Sequence, residues 1–141
     1  MTRDDMNALV DRRQRAWQRR DSVALADLYA ETCVVESPMA GGPVTGRAAI
    51  AQVYEAVFSA FPDSVTTFDE PLIDGDRVAQ ALMSSGTDTG QFLGLPPTGK
   101  PFRIPIVFLS TVKEGQIVHE RRIYDFTGLL VQVGVLKARP A

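Results

Sequence analysis

Pro101-Phe102-Arg103-Ile104-Pro105-Ile106-Val107-Phe108-Leu109-Ser110-Thr111-Val112, the turn Lys113-Glu114-Gly115, and Gln116-Ile117-Val118-His119-Glu120-Arg121-Arg122-Ile123-Tyr124-Asp125-Phe126 carry the plainest structural signal in the chain. Phe102, Ile104, Ile106, Phe108 and Val112 fall at even spacing, the period of a strand with one face in a core. The Glu-Gly pair after it is hairpin chemistry. The same texture extends back to Ser64, with a second turn at Asp74-Gly75-Asp76. The pattern predicts strands at about 65–74, 77–89, 100–112 and 116–126, with a loop from Gly90 to Gly99 between the middle two.

Upstream of Ser64 the period changes to 3.6. Thr2 or Asp4 caps a first helix, and Met6, Leu9, Val10, Arg13 and Trp17 share one stripe, so a guanidinium is set among apolar neighbours. Asp21-Ser22 opens a short second helix through Leu25, Leu28 and Tyr29. Cys33-Val34-Val35-Glu36-Ser37 reads as a strand stopped by Pro38. Met39 to Gly46 is a loop on composition, and a third helix carries Ile50, Val53, Tyr54, Val57, Phe58 and Phe61 on one face before Pro62. A last short helix spans about Leu129 to Val133. Helices first and a meander afterwards specify an α+β domain over residues 1–136, with 137–141 as a flexible tail.

The 141 residues suit one such domain. Fifteen basic against seventeen acidic residues, and a pI near 5.3, give no positive field for a phosphate backbone, so nucleic acid is not an expected partner. No stretch approaches the roughly 18 uncharged apolar residues of a membrane span, and the start Met1-Thr2-Arg3-Asp4-Asp5 lacks a signal-peptide pattern; the expectation is a cytoplasmic protein with no membrane partner. The single cysteine, Cys33, and the single histidine, His119, provide no metal-site spacing, and no cofactor motif is present; neither metal nor cofactor is expected.

Several phrases taken together resemble the SnoaL-like polyketide cyclases of the nuclear transport factor 2-like superfamily, relatives of the ketosteroid isomerases. They are Leu28-Tyr29-Ala30-Glu31-Thr32-Cys33-Val34-Val35-Glu36-Ser37-Pro38, the helix start Gly46-Arg47-Ala48-Ala49-Ile50, the run Thr87-Asp88-Thr89-Gly90-Gln91-Phe92-Leu93-Gly94-Leu95-Pro96-Pro97-Thr98-Gly99-Lys100, and Gly115-Gln116-Ile117-Val118-His119-Glu120 with Gly128-Leu129-Leu130. The resemblance implies a cone-shaped α+β barrel: three N-terminal helices packed on a strongly curved, mostly antiparallel sheet, a short C-terminal helix, and an apolar cavity open at one end. It also implies functional positions from which this chain departs. Ser37 stands where related isomerases hold their carboxylate base, and Arg13 and Phe108 where they hold their oxyanion donors. Arg122 and Phe108 match the aspartate and histidine of the cyclases, and Asp88 a histidine common in relatives.

With the family's strand register, Glu120, Arg122 and Tyr124 point into the cone and His119 points out. Glu120 and Arg122, two apart on one face, then form either a site for an anionic or enolate-like group, joined by Arg13, or a structural salt bridge that plugs the cone. The candidate catalytic residues are Glu120, Arg122 and Asp88, the last expected at the mouth of the cavity. Arg13, Trp17, Tyr54, Phe108 and Tyr124 are the candidate ligand-binding residues. Asp125 is expected to cap the last helix. Three functions fit: an enzyme performing cyclisation, isomerisation or hydration on a small hydrophobic oxygenated molecule, polyketide- or terpenoid-like; a binder of such a molecule without catalysis; or an interaction module. Ile117, His119, Ile123, Val107 and Leu109 would form an uncovered apolar sheet face, which predicts a homodimer.

Overall fold

Thr2 begins the fold by closing a capping box: its hydroxyl accepts from the Asp5 amide at 3.1 Å and the Asp5 carboxylate accepts from the Thr2 amide at 2.8 Å. Helix α1 (Arg3–Gln18) follows and buries Met6, Leu9, Val10, Arg13 and Trp17, the stripe read from the sequence. The protein is described here from a computed structural model covering residues 1–137; the expected tail, apart from Lys137, lies outside the described residues. After α2 (Ser22–Ala26) come β1 (Tyr29–Glu36), the short β2 (Val44–Thr45), α3 (Arg47–Ala60), β3 (Val65–Phe68), β4 (Leu72–Asp74), β5 (Arg77–Thr87), β6 (Pro101–Lys113), β7 (Gln116–Ile123) and α4 (Phe126–Gln132).

The strands form one curved, open sheet in the order β2-β1-β7-β6-β5-β3, with β4 also on β5. Every pairing is antiparallel except β1 with β7, so the mostly antiparallel α+β architecture stands. The β6–β7 turn takes positive φ at both Glu114 (52°) and Gly115 (77°), the mirror-image turn whose twist matches a hairpin.

Several boundaries differ from the sequence reading. The strand expected at 65–74 is two strands, broken between Phe68 and Leu72, and the loop expected from Met39 to Gly46 contributes β2. β1 begins at Tyr29, four residues before the expected start, because the second helix ends at Ala26 and Tyr29 enters the sheet opposite Ile117. β7 ends at Ile123, and Asp125 caps α4 by accepting from the Gly128 amide at 2.8 Å. Ile117, expected on the outer face, is fully buried: the β6–β7 register shifts between Thr111 and Val112, so the parity of β7 changes before Glu120. Among the described residues no helix is long and apolar enough to cross a membrane.

The core has two parts. One joins α1, α3 and the sheet around Trp17, whose ring meets Tyr54 edge-on at 5.3 Å and Phe58 at 5.8 Å. The other, Phe61, Phe92, Phe102, Ile104, Leu129 and Val133, closes the far end, with the Phe61 ring tilted against those of Phe92 at 4.9 Å and Phe102 at 4.6 Å. The candidate site lies between these two clusters.

Candidate functional site

The sheet register brings the polar residues together. Ser110 on β6 is paired with Glu120 on β7, and one step along, Phe108 is paired with both Gln80 on β5 and Arg122 on β7. These residues share the concave face. Helix α1 lays Arg13 onto the same patch, and α3 and β1 deliver Tyr54 and Tyr29.

Glu120 is fully buried and both its oxygens are occupied. Oε1 accepts from Arg13 Nη1 at 2.8 Å and from the Ser110 hydroxyl at 3.0 Å. Oε2 accepts from the Tyr29 hydroxyl at 2.5 Å and from Arg122 Nε at 3.0 Å. Since the Tyr29 proton is used on Glu120, the 2.7 Å contact between the two tyrosines has Tyr54 donating to Tyr29. The hydroxyl protons therefore all run toward the carboxylate. Burial pushes Glu120 toward the neutral form, but Arg122, Arg13 and the Tyr29 hydroxyl together outweigh it and hold the carboxyl below its ordinary range. Burial raises both phenols and Glu120 adds to the rise of each; at Tyr54 the opposing Arg122 outweighs Glu120, so Tyr29 is raised further, and both stay neutral donors.

The two arginines differ in what they have left to give. Arg13 is fully buried, donating to Glu120, to Ser110 at 2.9 Å and to Gln80 at 3.2 Å, and its guanidinium lies 5.3 Å from the Phe108 ring. Arg122 is 8% exposed. Its Nε serves Glu120, its Nη2 serves Tyr54 at 2.5 Å and Tyr29 at 3.3 Å, and the guanidinium sits 4.8 Å from the Tyr54 ring and 5.0 Å from that of Phe108. Nη1 has no partner among the described residues.

Arg122 also borders the empty space. A lobe of about 280 Å³ is lined by Val35, Val44, Ile50, Val53, Val57, Phe92, Ser37 and Arg122, among others. A smaller lobe of about 70 Å³ shares Ser37, Met39, Val57, Phe92 and Arg122 with it and adds Trp17, Phe108 and Tyr124. Among the described residues, Arg122 is the single charged one lining either lobe. Ser37 and Tyr124, hydrogen-bonded at 3.1 Å across the ends of β1 and β7, face both the smaller lobe and an outer groove beside Pro38 and Ile123.

Measured against the expected site, Arg13, Glu120 and Arg122 do converge, and Trp17, Phe108, Tyr124 and Arg122 line the cavity. Glu120, Arg13 and Tyr54 lie behind Arg122 and line neither lobe. Asp88 is not at the mouth as expected. It is 2% exposed, lines neither lobe, and fastens the root of the 90–99 loop: Thr98 donates its amide to Asp88 Oδ2 at 3.2 Å, and its hydroxyl sits 3.0 Å from that oxygen and 2.6 Å from the Val133 carbonyl. The reason is local: a strand end closing a ten-residue loop needs an acceptor for the returning chain. His119 points outward, 2.9 Å from Glu36. Tyr29, Ser110 and Gln80 were not among the expected residues. A serine and a glutamine interrupting otherwise apolar alternation on β6 and β5 are the signal that marks two of them; Tyr29 has none, because its parity depends on where β1 begins. Among the described residues no three His, Cys, Asp or Glu side chains gather as a metal site.

The family profile described as SnoaL-like polyketide cyclase matches residues 7–133. The structure is similar to that of AclR from Streptomyces galilaeus, a candidate hydroxylase, with a TM-score of 0.83 and 25% identity over 99% of this chain and 87% of that one. It is similar to IdmH from Streptomyces antibioticus, a candidate polyketide cyclase, with a TM-score of 0.75 and 29% identity over 91% of this chain and 97% of that one. A protein of ketosteroid isomerase-like fold from Catenulispora acidiphila, solved with trimethylamine, shares the fold at a TM-score of 0.77 and 21% identity, over 94% and 97% of the two chains. No curated protein matches the sequence significantly.

Proposed function

Because the chain belongs to the SnoaL-like polyketide cyclase family, we propose that it binds a small hydrophobic oxygenated molecule, polyketide-like in character, in the bilobed cavity and that Arg122 holds one oxygen of it. The observation that carries this reading is the free Nη1 of Arg122 on a guanidinium whose other nitrogens are locked by Glu120, Tyr29 and Tyr54. A donor fixed on the wall of a lobe lined mostly by apolar side chains suits an oxygen that gains negative charge, as when a ketone passes to its enolate. Glu120 is then the anchor that aims Arg122 and keeps it rigid. With both its oxygens filled and no wall of the cavity its own, it has no path to a ligand proton. The wall supplies hydroxyls, Ser37 and Tyr124 beside Arg122 and Ser64 and Ser84 in the smaller lobe, which can relay a proton and not keep it: in an enolisation the α-proton passes to such an oxygen as that oxygen gives its own proton to solvent, and the negative charge stays on the ligand oxygen held by Arg122.

A second reading, binding without turnover, is favoured by the absence, among the described residues, of any carboxylate or imidazole from the lining of either lobe. One experiment separates the two. 2-Tetralone, a bicyclic ketone, is incubated with the protein in deuterium oxide and its α-hydrogen exchange followed by NMR. Catalysed enolisation predicts faster exchange, lost by about 100- to 1,000-fold in Arg122→Leu, the usual cost of removing one oxyanion donor. Saturable binding with the spontaneous exchange rate selects the binder, and no binding at millimolar ketone refutes both.

A further inference from the structure

The polar cluster is not electrically balanced. Arg13 and Arg122 are nine-tenths or more buried and share one carboxylate, Glu120. The tyrosines around them stay neutral because burial raises both phenols. Among the described residues no other acid is bonded to the cluster: Asp88 is engaged with Thr98 through Oδ2 and lines neither lobe, Glu36 lies outside with His119, and Asp69 offers Gln80 only its backbone carbonyl. The aromatic faces of Tyr54 and Phe108 soften the excess charge without cancelling it. A buried unit of positive charge with a vacant N–H beside an apolar lobe calls for a counter-ion, and the lobe's hydrocarbon walls select one carried on an apolar frame.

We propose that the cavity takes its ligand as the anion of a weak organic acid, an oxyanion on a hydrocarbon frame, seated on Arg122 Nη1. The inference rests on the oxygen-on-Arg122 reading above and adds the ligand's charge state. Carboxylate, phenolate and stabilised enolate share this chemistry. The geometry asks for a single charge: among the described residues one vacant donor borders the lobes, the unpartnered Nε of Arg13 being buried behind Arg122, and no second cation lines either lobe.

The test uses two probes of one shape, 1-naphthoate and its neutral counterpart 1-naphthamide, titrated into the full chain by calorimetry at neutral pH. The wild type should bind naphthoate at least tenfold more tightly than naphthamide. Arg122→Leu should abolish that preference, and Arg122→Lys, which keeps the charge, should retain part of it. Bromide, a bare anion, should bind far more weakly than naphthoate, because the lobe selects for the frame as well. Saturation by both organic probes with equal affinity overturns the anion inference while leaving the oxygenated-ligand reading in place. No saturation by either at millimolar concentration overturns both. A naphthoate preference that survives unchanged in Arg122→Leu places the anion elsewhere and refutes the assignment to Arg122.

Discussion

Replacing Glu120 by glutamine is the sharpest perturbation of the buried cluster, because it removes the one negative charge and leaves two guanidiniums facing each other. The carboxylate accepts four hydrogen bonds, two from arginines. A glutamine keeps one oxygen and turns an amide N–H₂ toward two groups that were donors. Breaking a buried ion pair by neutralising one partner costs about 3–5 kcal/mol. With an unfolding entropy of about 2.1 cal/mol/K per residue, a 141-residue chain should lose about 10–17 °C of melting temperature. Arg122→Leu is the informative contrast. It leaves the Arg13–Glu120 pair intact at 2.8 Å and makes the cluster neutral, so its cost should be smaller, about 1.5–3 kcal/mol for the lost charge-assisted bond to Glu120. The double variant Glu120→Leu with Arg122→Leu should not recover stability, since Arg13 is then buried alone. Urea unfolding followed by circular dichroism measures all three. If Arg122→Leu costs as much as Glu120→Gln, charge balance does not govern the cluster and the reasoning fails.

Because Glu120 has a folded pKa below its unfolded one, the unfolded chain binds more protons between the two values, so the stability it contributes is present above the ordinary glutamate range and is lost as pH falls through its lower folded value. The difference in stability between wild type and Glu120→Gln should therefore shrink on acidification from pH 5 downward; a constant difference would contradict the ionised assignment. At Gly90 an added Cβ would sit 2.1 Å from the Ser59 carbonyl oxygen and 2.7 Å from Ala60 Cα, backbone atoms that cannot yield, so Gly90→Ala should cost at least the roughly 1–3 kcal/mol of an overpacked core, read as a lowered urea midpoint. The homodimer proposed from the sequence rests on Ile123, 48% exposed, and its cross-strand neighbour Val107, on the sheet face opposite Phe108 and Arg122; sedimentation at micromolar concentration should give twice the 15.4 kDa chain mass, and a value near one chain would reject it.

Much of this was legible in the residues. Even spacing on β6 fixed the concave face, and the helical stripe put Arg13 on it. Two-residue spacing with the family register then placed Glu120 and Arg122 side by side. What the sequence hid were features that depend on a change of parity or on closure over distance. The bulge beside Val118 buries Ile117, which simple alternation puts outside. Tyr29 reads as the end of a helix after Leu25 and Leu28, and only its entry into the sheet carries the hydroxyl to Glu120. Asp88 reads as a rim carboxylate because its partner, Thr98, is ten residues away across a loop. Periodicity reports which face a residue takes, whereas the division between Arg122 at the cavity wall and Glu120 sealed behind it is a matter of depth along one face.

The most direct measurement of the central claim is a crystal structure of the protein with 1-naphthoate. The account predicts the carboxylate about 2.7–3.2 Å from Arg122 Nη1, the rings in the larger lobe against Val35, Val57 and Phe92, and the Arg13–Glu120–Arg122 network unchanged. Naphthoate bound away from Arg122, or Glu120 released from both arginines to meet it, would contradict the account.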